Sequence, residues 1–121
     1  MYDLNTFETV RFSSGNAFIT LSINSIIFNR EVVNGLGRPK FVKLLMNEKE
    51  KCIAIKATPG FDDDKIEFVK DNDCINVHWN NREFVRKLKS WANASEKSLL
   101  RIHGEYIARE NAFVFDFKKT Y

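Results

Sequence analysis

An eight-residue segment occurs twice in this chain and constrains its fold more than any other feature. Residues 29–36 read NREVVNGL and residues 81–88 read NREFVRKL, so five of the eight positions are identical at a spacing of 52 residues. An apolar run precedes each copy, and two strand-like runs follow it. The pattern predicts two ββαββ units, about residues 5–58 and 64–119, joined by an acidic Pro-Gly connection.

Each copy of the segment is predicted to form a helix capped by an asparagine, Asn29 for the first and Asn80 or Asn81 for the second. The side-chain oxygen of the cap can accept a hydrogen bond from a free N–H of the first turn. Gly37 and Pro39 end the first helix after about two turns, because proline cannot continue a helix. The apolar spacing of the second copy predicts a longer helix, which runs to about Trp91 or Ala92.

Alternating apolar and polar residues predict the strands. The predicted strands are residues 7–12, 17–23, 41–46 and 52–57 in the first unit and 65–70, 74–79, 99–105 and 112–118 in the second. Residues 25–28 form a short apolar lead-in to the first helix. Phe113, Phe115 and Phe117 share one face of the last strand, which we assign to the core rather than to a dimer seam. The predicted fold is a single compact α+β domain of about eight mostly antiparallel strands and two helices.

Composition excludes several classes of protein. None of the apolar runs in the 121 residues approaches the roughly 20 residues that a membrane helix needs. The first residues lack the pattern of a secretory signal, so the cytoplasm is the expected location. Two cysteines, Cys52 and Cys74, are too few for a disulfide framework and are predicted to be small buried hydrophobes.

The motifs of common enzymes are missing from the sequence. It has no glycine-rich phosphate loop, no GxSxG and no HExxH, and its two histidines, His78 and His103, have no nearby catalytic partners in sequence. We therefore expect no enzyme activity, no catalytic residues and no cofactor. The carboxylates at 62–64 could hold Mg²⁺ or Ca²⁺, and a small metal-dependent enzyme is a distant third hypothesis.

Basic residues cluster on and near the two helices. Such groups can neutralise phosphates, although helices also carry lysine and arginine on their solvated faces. Arg82, Arg86 and Lys89 recur at i, i+4 and i+7, which predicts a basic stripe on the solvated face of the second helix, opposite or beside its apolar stripe. The candidate nucleic-acid contacts are Arg82, Arg86, Lys87 and Lys89 on the second helix and Arg38 and Lys40 after the first.

Acidic residues cluster between the two units. Residues 61–73 contain six acids and two bases, a balance of −4, whereas the whole chain carries +3. Phe61, Asp62, Asp63 and Asp64 are candidates for a protein-binding surface, with Phe61 as its anchor. The alternative is a simple acidic connection whose Phe61 and Phe68 pack inward.

Residues 25–56 resemble an AbrB/MraZ-type DNA-binding unit in pattern. They contain an apolar run, a short capped helix that ends in Leu36-Gly37, and a strand pair with a charged turn. The resemblance implies a DNA-binding transcriptional regulator. In size and character the whole chain also resembles small orphan proteins of phages and mobile elements, which implies a regulator or an inhibitor of host defence, including anti-CRISPR proteins.

We therefore expect a non-enzymatic binding protein without a membrane partner, either a monomer or a homodimer. Its expected partner is a protein or a protein–nucleic acid complex, such as a host defence nuclease. The alternative is an AbrB-like regulator that binds DNA or RNA directly through the basic helix.

Overall fold

Alternation of apolar and polar residues produces strands that all belong to one antiparallel sheet. The computed structural model describes residues 3–7, 16–71 and 73–118. A 3-10 turn, Leu4–Thr6, is followed by β1 Phe18–Leu21, β2 Ser25–Phe28, α1 Arg30–Gly35, β3 Phe41–Asn47, β4 Cys52–Ala57, β5 Ile66–Glu67, β6 Val77–Asn80, α2 Arg82–Trp91, β7 Leu100–Ile107 and β8 Ala112–Asp116. The strand order is β5-β3-β4-β8-β7-β1-β2-β6, and the sheet curls around an apolar interior. The described residues thus confirm a single α+β domain with eight strands and two α-helices.

The strand boundaries differ from the predicted ones chiefly in the first unit. Residues 8–12 of the first predicted strand lie outside the described residues. Residues 25–28, expected only as a lead-in to the helix, form β2 because they pair with both β1 and β6. In the acidic connection, only the two residues of β5 form a strand out of the six predicted.

Both helices begin where the sequence predicts. The side-chain oxygen of Asn29 accepts a hydrogen bond from the backbone N–H of Val32, and that of Asn81 accepts one from Phe84. Each bond satisfies an N–H group that the first turn leaves without an intrahelical partner.

Both helices also end in the same way. Gly37 follows α1 with a φ of 84°, and Asn93 follows α2 with a φ of 57°. In each case the amide of the left-handed residue and the amide after it bond back to carbonyls of the last helical turn. This is the Schellman arrangement, which glycine and asparagine favour because they tolerate positive φ.

The two hairpins, β3–β4 and β7–β8, have turns of equal length. Four residues, 48–51, connect β3 to β4, and four residues, 108–111, connect β7 to β8. The last residue of each turn, Lys51 or Asn111, has a positive φ of 57° or 47°. Within the sheet the hairpins lie side by side through the β4–β8 pair, while β5 pairs with β3 and β1 pairs with β7.

Aromatic side chains join the two ends of the strand order. Phe68, just after β5, lies with its ring centroid 5.3 Å from that of Phe28 on β2 and 6.0 Å from that of Trp79 on β6. Phe28 and Trp79 are themselves 4.8 Å apart. We call these three residues the aromatic seam.

The helices pack at opposite ends of β8. Helix α1 brings Gly35 against the ring of Phe113, and α2 places Trp91 5.9 Å from the ring of Phe117. Phe113, Phe115 and Phe117 are all at least 95% buried, so the prediction that they belong to the core is confirmed.

Candidate protein-binding surface

Residues 58–65 connect β4 to β5 by passing over β3, which lies between those strands. The backbone N–H of Thr58 donates to the carbonyl of Phe41 on β3 at 3.1 Å. The carboxylate of Asp62 reaches the ammonium of Lys43, also on β3, at 2.9 Å. We call residues 58–65 the crossover loop, and these contacts fix it to the strand beneath it.

Asp62 is the anchor of the crossover loop. Besides its ion pair with Lys43, it accepts hydrogen bonds from the Thr58 hydroxyl at 2.7 Å and from the Asp64 backbone N–H at 2.9 Å. The hydrogen bond from Lys43, followed by those from Thr58 and Asp64, holds the pKa of Asp62 well below its ordinary value. The same pair raises the pKa of Lys43. Asp62 therefore organises the loop, and its carboxylate is already engaged within the chain.

Phe61 lies on the loop immediately before this anchor, and 88% of its surface is exposed. The backbone on its other side is also supported, because Gly60 lies against the ring of Phe41. Asp63 and Asp64 follow Asp62 and are exposed. Of the two phenylalanines in the acidic segment, only Phe68 packs inward, with 1% of its surface exposed. The structure therefore brings the four candidate protein-binding residues together on one loop, three of them accessible.

Sequence reasoning missed the residues that hold this loop. Lys43 and Thr58 bind Asp62, and Phe41 supports Gly60. The Pro59-Gly60 pair signalled a turn, but only the crossing over β3 identifies the residues that the turn contacts.

The predicted basic stripe of α2 is interrupted in the structure. Lys89 was expected on the exposed face, and this prediction is wrong, because Lys89 is only 1% exposed. Its ammonium donates to the backbone carbonyls of Glu96 at 2.8 Å and Ser98 at 2.7 Å, and burial lowers its pKa. Lys89 therefore holds the loop after α2 and presents no charge to a ligand.

The other basic residues of α2 are accessible, but two of them are already in ion pairs. Arg86 contacts the carboxylate of Glu96 at 3.1 Å, and Lys87 pairs with Glu48 in the β3–β4 turn. Arg82, at the first position of the helix, is exposed. Surface ion pairs of this kind contribute only about 0–1 kcal/mol, so a ligand could displace them.

The two basic residues after α1 lie away from that helix face. Arg38 is half-buried and donates to the Cys74 carbonyl at 2.6 Å, which ties the end of α1 to the segment before β6. Lys40 is exposed, and its ammonium lies 5.5 Å from the centre of the Phe41 ring. These residues do not extend the stripe of α2, because each is engaged with its own neighbourhood.

Other reactive side chains are dispersed. In the part of the chain that the structure describes, no three His, Cys, Asp or Glu residues are grouped as a metal site would require. Cys52 and Cys74 are unpaired and half-buried rather than fully buried as predicted, and burial raises the pKa of Cys52.

Comparison with known proteins gives no relative of this chain. A scan against protein-family models, a search of curated proteins and a search of solved structures each found no match. Among the described residues, no helix has the length and apolar character needed to cross a membrane. The function therefore has to be inferred from the chemistry of the surface itself.

Proposed function

We propose that this chain is a non-enzymatic binding protein whose partner is another protein, and that the crossover loop is its docking surface. The observation that carries the proposal is Phe61, a large aromatic side chain that is 88% exposed on a loop fixed by Asp62. Burying such a side chain in a partner contributes about 1.5–3 kcal/mol. Aromatic anchors of this kind dominate the energetics of many protein interfaces.

The internal contacts of the loop favour tight binding. Thr58, Lys43 and Asp64 already hold Asp62 in the unbound chain, so little backbone freedom is lost when a partner docks. Affinity is higher when the binding loop is already ordered in the free protein, because less conformational entropy is then lost on binding.

The charges beside Phe61 indicate the kind of partner. Asp63 and Asp64 are exposed carboxylates next to the aromatic anchor, so the complementary surface is basic with an apolar recess. The groove in which a nuclease holds its nucleic acid has this chemistry. We therefore propose a cytoplasmic inhibitor of a nucleic-acid-processing enzyme, of the type that phages and mobile elements direct at host defence nucleases.

The test is a comparative pull-down from lysate of the source cells with wild-type protein, Phe61→Ala and Ile75→Ala. Ile75 is a matched control because it is another apolar residue, lies two positions after the acidic segment 61–73, and is 61% exposed. We expect a partner that is retained by wild type and Ile75→Ala and released by Phe61→Ala. Its affinity for the purified Phe61→Ala protein should fall about 10- to 100-fold.

Charge reversal then tests the nature of the partner. Replacing Asp63 and Asp64 by lysine should weaken binding and reduce its dependence on salt, because these residues face a basic surface. A partner bound equally by wild type and Phe61→Ala would contradict the docking surface. If charge reversal leaves binding of the partner unchanged, the proposal of a basic groove is contradicted, while the docking surface at Phe61 is not.

The AbrB-like regulator is the alternative and would use the basic helix. The observation in its favour is the exposure of Arg82, Arg86 and Lys87 on one helix. It is less supported than the crossover loop, because Arg86 and Lys87 are paired with carboxylates and Lys89 is buried.

We also propose that the two helix–hairpin units are copies of one ancestral unit. The repeated segment, the shared asparagine caps, the two Schellman ends and the equal four-residue turns support this proposal. The strand order supports the same relation for the complete ββαββ units. Exchanging β1 with β5, β2 with β6, β3 with β7 and β4 with β8 preserves every observed strand pairing except that of β1 with β2, whose counterpart would be a β5–β6 pair.

A further inference from the structure

The four strands β7, β1, β2 and β6 present a second surface that the crossover loop does not use. Ile19, Ile26 and Ile102 are fully buried on these strands, so the residues that alternate with them face outward. We call these outward residues the outer face: Phe18 and Thr20 on β1, Ile27 on β2, His78 on β6, and Arg101 and His103 on β7.

The sheet register brings the outer face together. Thr20 is paired with Arg101 on one side and Ile27 on the other, and Ile27 is paired with His78. Phe18 is paired with His103. The outer face is therefore continuous across four strands.

Arg101 and Phe18 form its centre. The guanidinium carbon of Arg101 lies 4.2 Å from the centre of the Phe18 ring, and Arg101 itself is exposed. The ring of His103 meets the Phe18 ring edge-on, with 6.0 Å between the two ring centroids. A flat cation is thus held in place on an aromatic support, with a second aromatic ring beside it.

The outer face carries one carboxylate on β7, that of Glu105, which lies where β7 pairs with Val114 of β8 rather than with β1, whereas the opposite half of the sheet pairs its lysines with acids. On or beside β3, β4 and β8, Lys43, Lys56 and Lys118 are each paired with a carboxylate, at 2.9, 2.8 and 3.0 Å. Within the described residues, Arg101 has no carboxylate in ion-pair range, and Glu105 is the first acid along its strand. The charge of Arg101 is therefore available to a negatively charged ligand.

We propose that the outer face binds single-stranded nucleic acid, with an unpaired base stacked beside Arg101, Phe18 and His103. Sheet surfaces that bind single strands combine aromatic and arginine planes, on which bases stack, with positive charge that attracts phosphates. The bases of a duplex are already stacked and paired, so they cannot use such a platform. The outer face shares no residue with the crossover loop, so one chain could contact both a nuclease and its nucleic acid.

The experiment measures fluorescence anisotropy of labelled oligo(dT) and oligo(U), about 12 nucleotides long, with the full-length protein at about 20 and 200 mM salt. A duplex of equal length is the comparison ligand. We expect Arg101→Glu to weaken single-strand binding at least about tenfold. The matched control is Arg109→Glu, an exposed arginine in the β7–β8 turn with the same change of charge, and it should stay within about twofold of wild type.

Arg101→Lys separates stacking from charge, because lysine keeps the charge and loses the planar group. We expect it to bind several-fold more weakly than wild type. The proposal is overturned if wild type does not bind at low salt, if Arg101→Lys binds like wild type, if Arg101→Glu and Arg109→Glu weaken binding equally, or if duplex binds as tightly as single strand. Phe61→Ala should bind the oligonucleotides like wild type. A failure of the single-strand proposal is therefore distinguishable from a failure of the proposed protein docking at Phe61.

Discussion

The first helix–hairpin unit, α1-β3-β4, and the second, α2-β7-β8, share their local signals but differ in their tertiary contacts. Both helices start at an asparagine cap and end in a left-handed residue, and both hairpins turn through four residues. Yet α1 has six residues and presses a glycine against a phenylalanine ring, whereas α2 has ten residues and buries a lysine. Local sequence therefore determines where these elements begin and end, and packing determines what each one does in the fold.

The two units should differ most in how alanine substitution changes their stability at equivalent helix positions, Gly35 in α1 and Lys87 in α2. A Cβ atom on Gly35 would lie 2.7 Å from the ring of Phe113, which is buried and cannot move aside easily. We expect Gly35→Ala to lower the free energy of unfolding by about 1–3 kcal/mol, although alanine favours the helix by about 1 kcal/mol. Lys87→Ala, the matched change in α2, should stay within about 0.5 kcal/mol of wild type. Urea denaturation measures both, and equal effects would show that the helices are packed alike.

The two asparagine caps should differ less in the stability that each contributes to the fold. Asn29 caps α1 and also holds β1, because its side chain accepts from the N–H of Phe18 and donates to the carbonyl of Asn16. Asn81 makes only the cap among its described side-chain contacts. We expect Asn29→Ala to cost about 2 kcal/mol and Asn81→Ala about 1 kcal/mol, measured by thermal or urea unfolding. If both substitutions cost the same, the contact of Asn29 with β1 contributes nothing beyond the cap.

The smallest expected difference between the two hairpins is in how their contribution to stability changes with pH. Lys43 on β3 is paired with Asp62, whereas His103, at the same distance from the turn on β7, packs on Phe18. Because the pKa of Asp62 is lowered in the fold, its stabilisation is present above the ordinary carboxyl pKa near 4 and is lost as the pH falls below it. The stability gap between wild type and Asp62→Asn should therefore narrow between about pH 5 and pH 2.

Asp63→Asn provides the control for that titration, since it makes the same chemical change at the exposed neighbouring residue. Its stability should follow the wild-type curve with pH. A gap for Asp62→Asn that stays constant down to low pH would mean that the ion pair does not stabilise the fold.

Much of the local structure could be predicted from the sequence. The asparagine caps, the left-handed Gly37 and the hairpin with its charged tip all depend on residues close in the chain, so their signals are readable there. The strand order is different, because β5, β6 and β2 find their neighbours through contacts between distant residues. The role of residues 25–28 as a strand was missed for this reason.

The candidate sites show the same limit. Helical spacing placed Lys89 on the basic stripe, but the carbonyls that bury it come from the loop after the helix. The pairing of Lys87 depends on Glu48, in the turn of the other hairpin. Phe61 and Phe68 looked alike in sequence, and only the path of the crossover loop separates the exposed ring from the buried one.

In the described residues, the aromatic seam closes the curled sheet where β5 and β6, the two end strands, do not pair with each other. Phe28, Phe68 and Trp79 hold the ends together through ring contacts, which lack the strict directionality of a hydrogen-bonded ladder. Separating the ends therefore costs this apolar contact and the hydrogen bond from Arg38 to the Cys74 carbonyl, while the pairings of the central strands stay intact. We therefore expect opening at the seam to cost less than breaking one of the central strand pairings. Native-state hydrogen exchange would detect it as faster exchange in β5 and β6 than in β8.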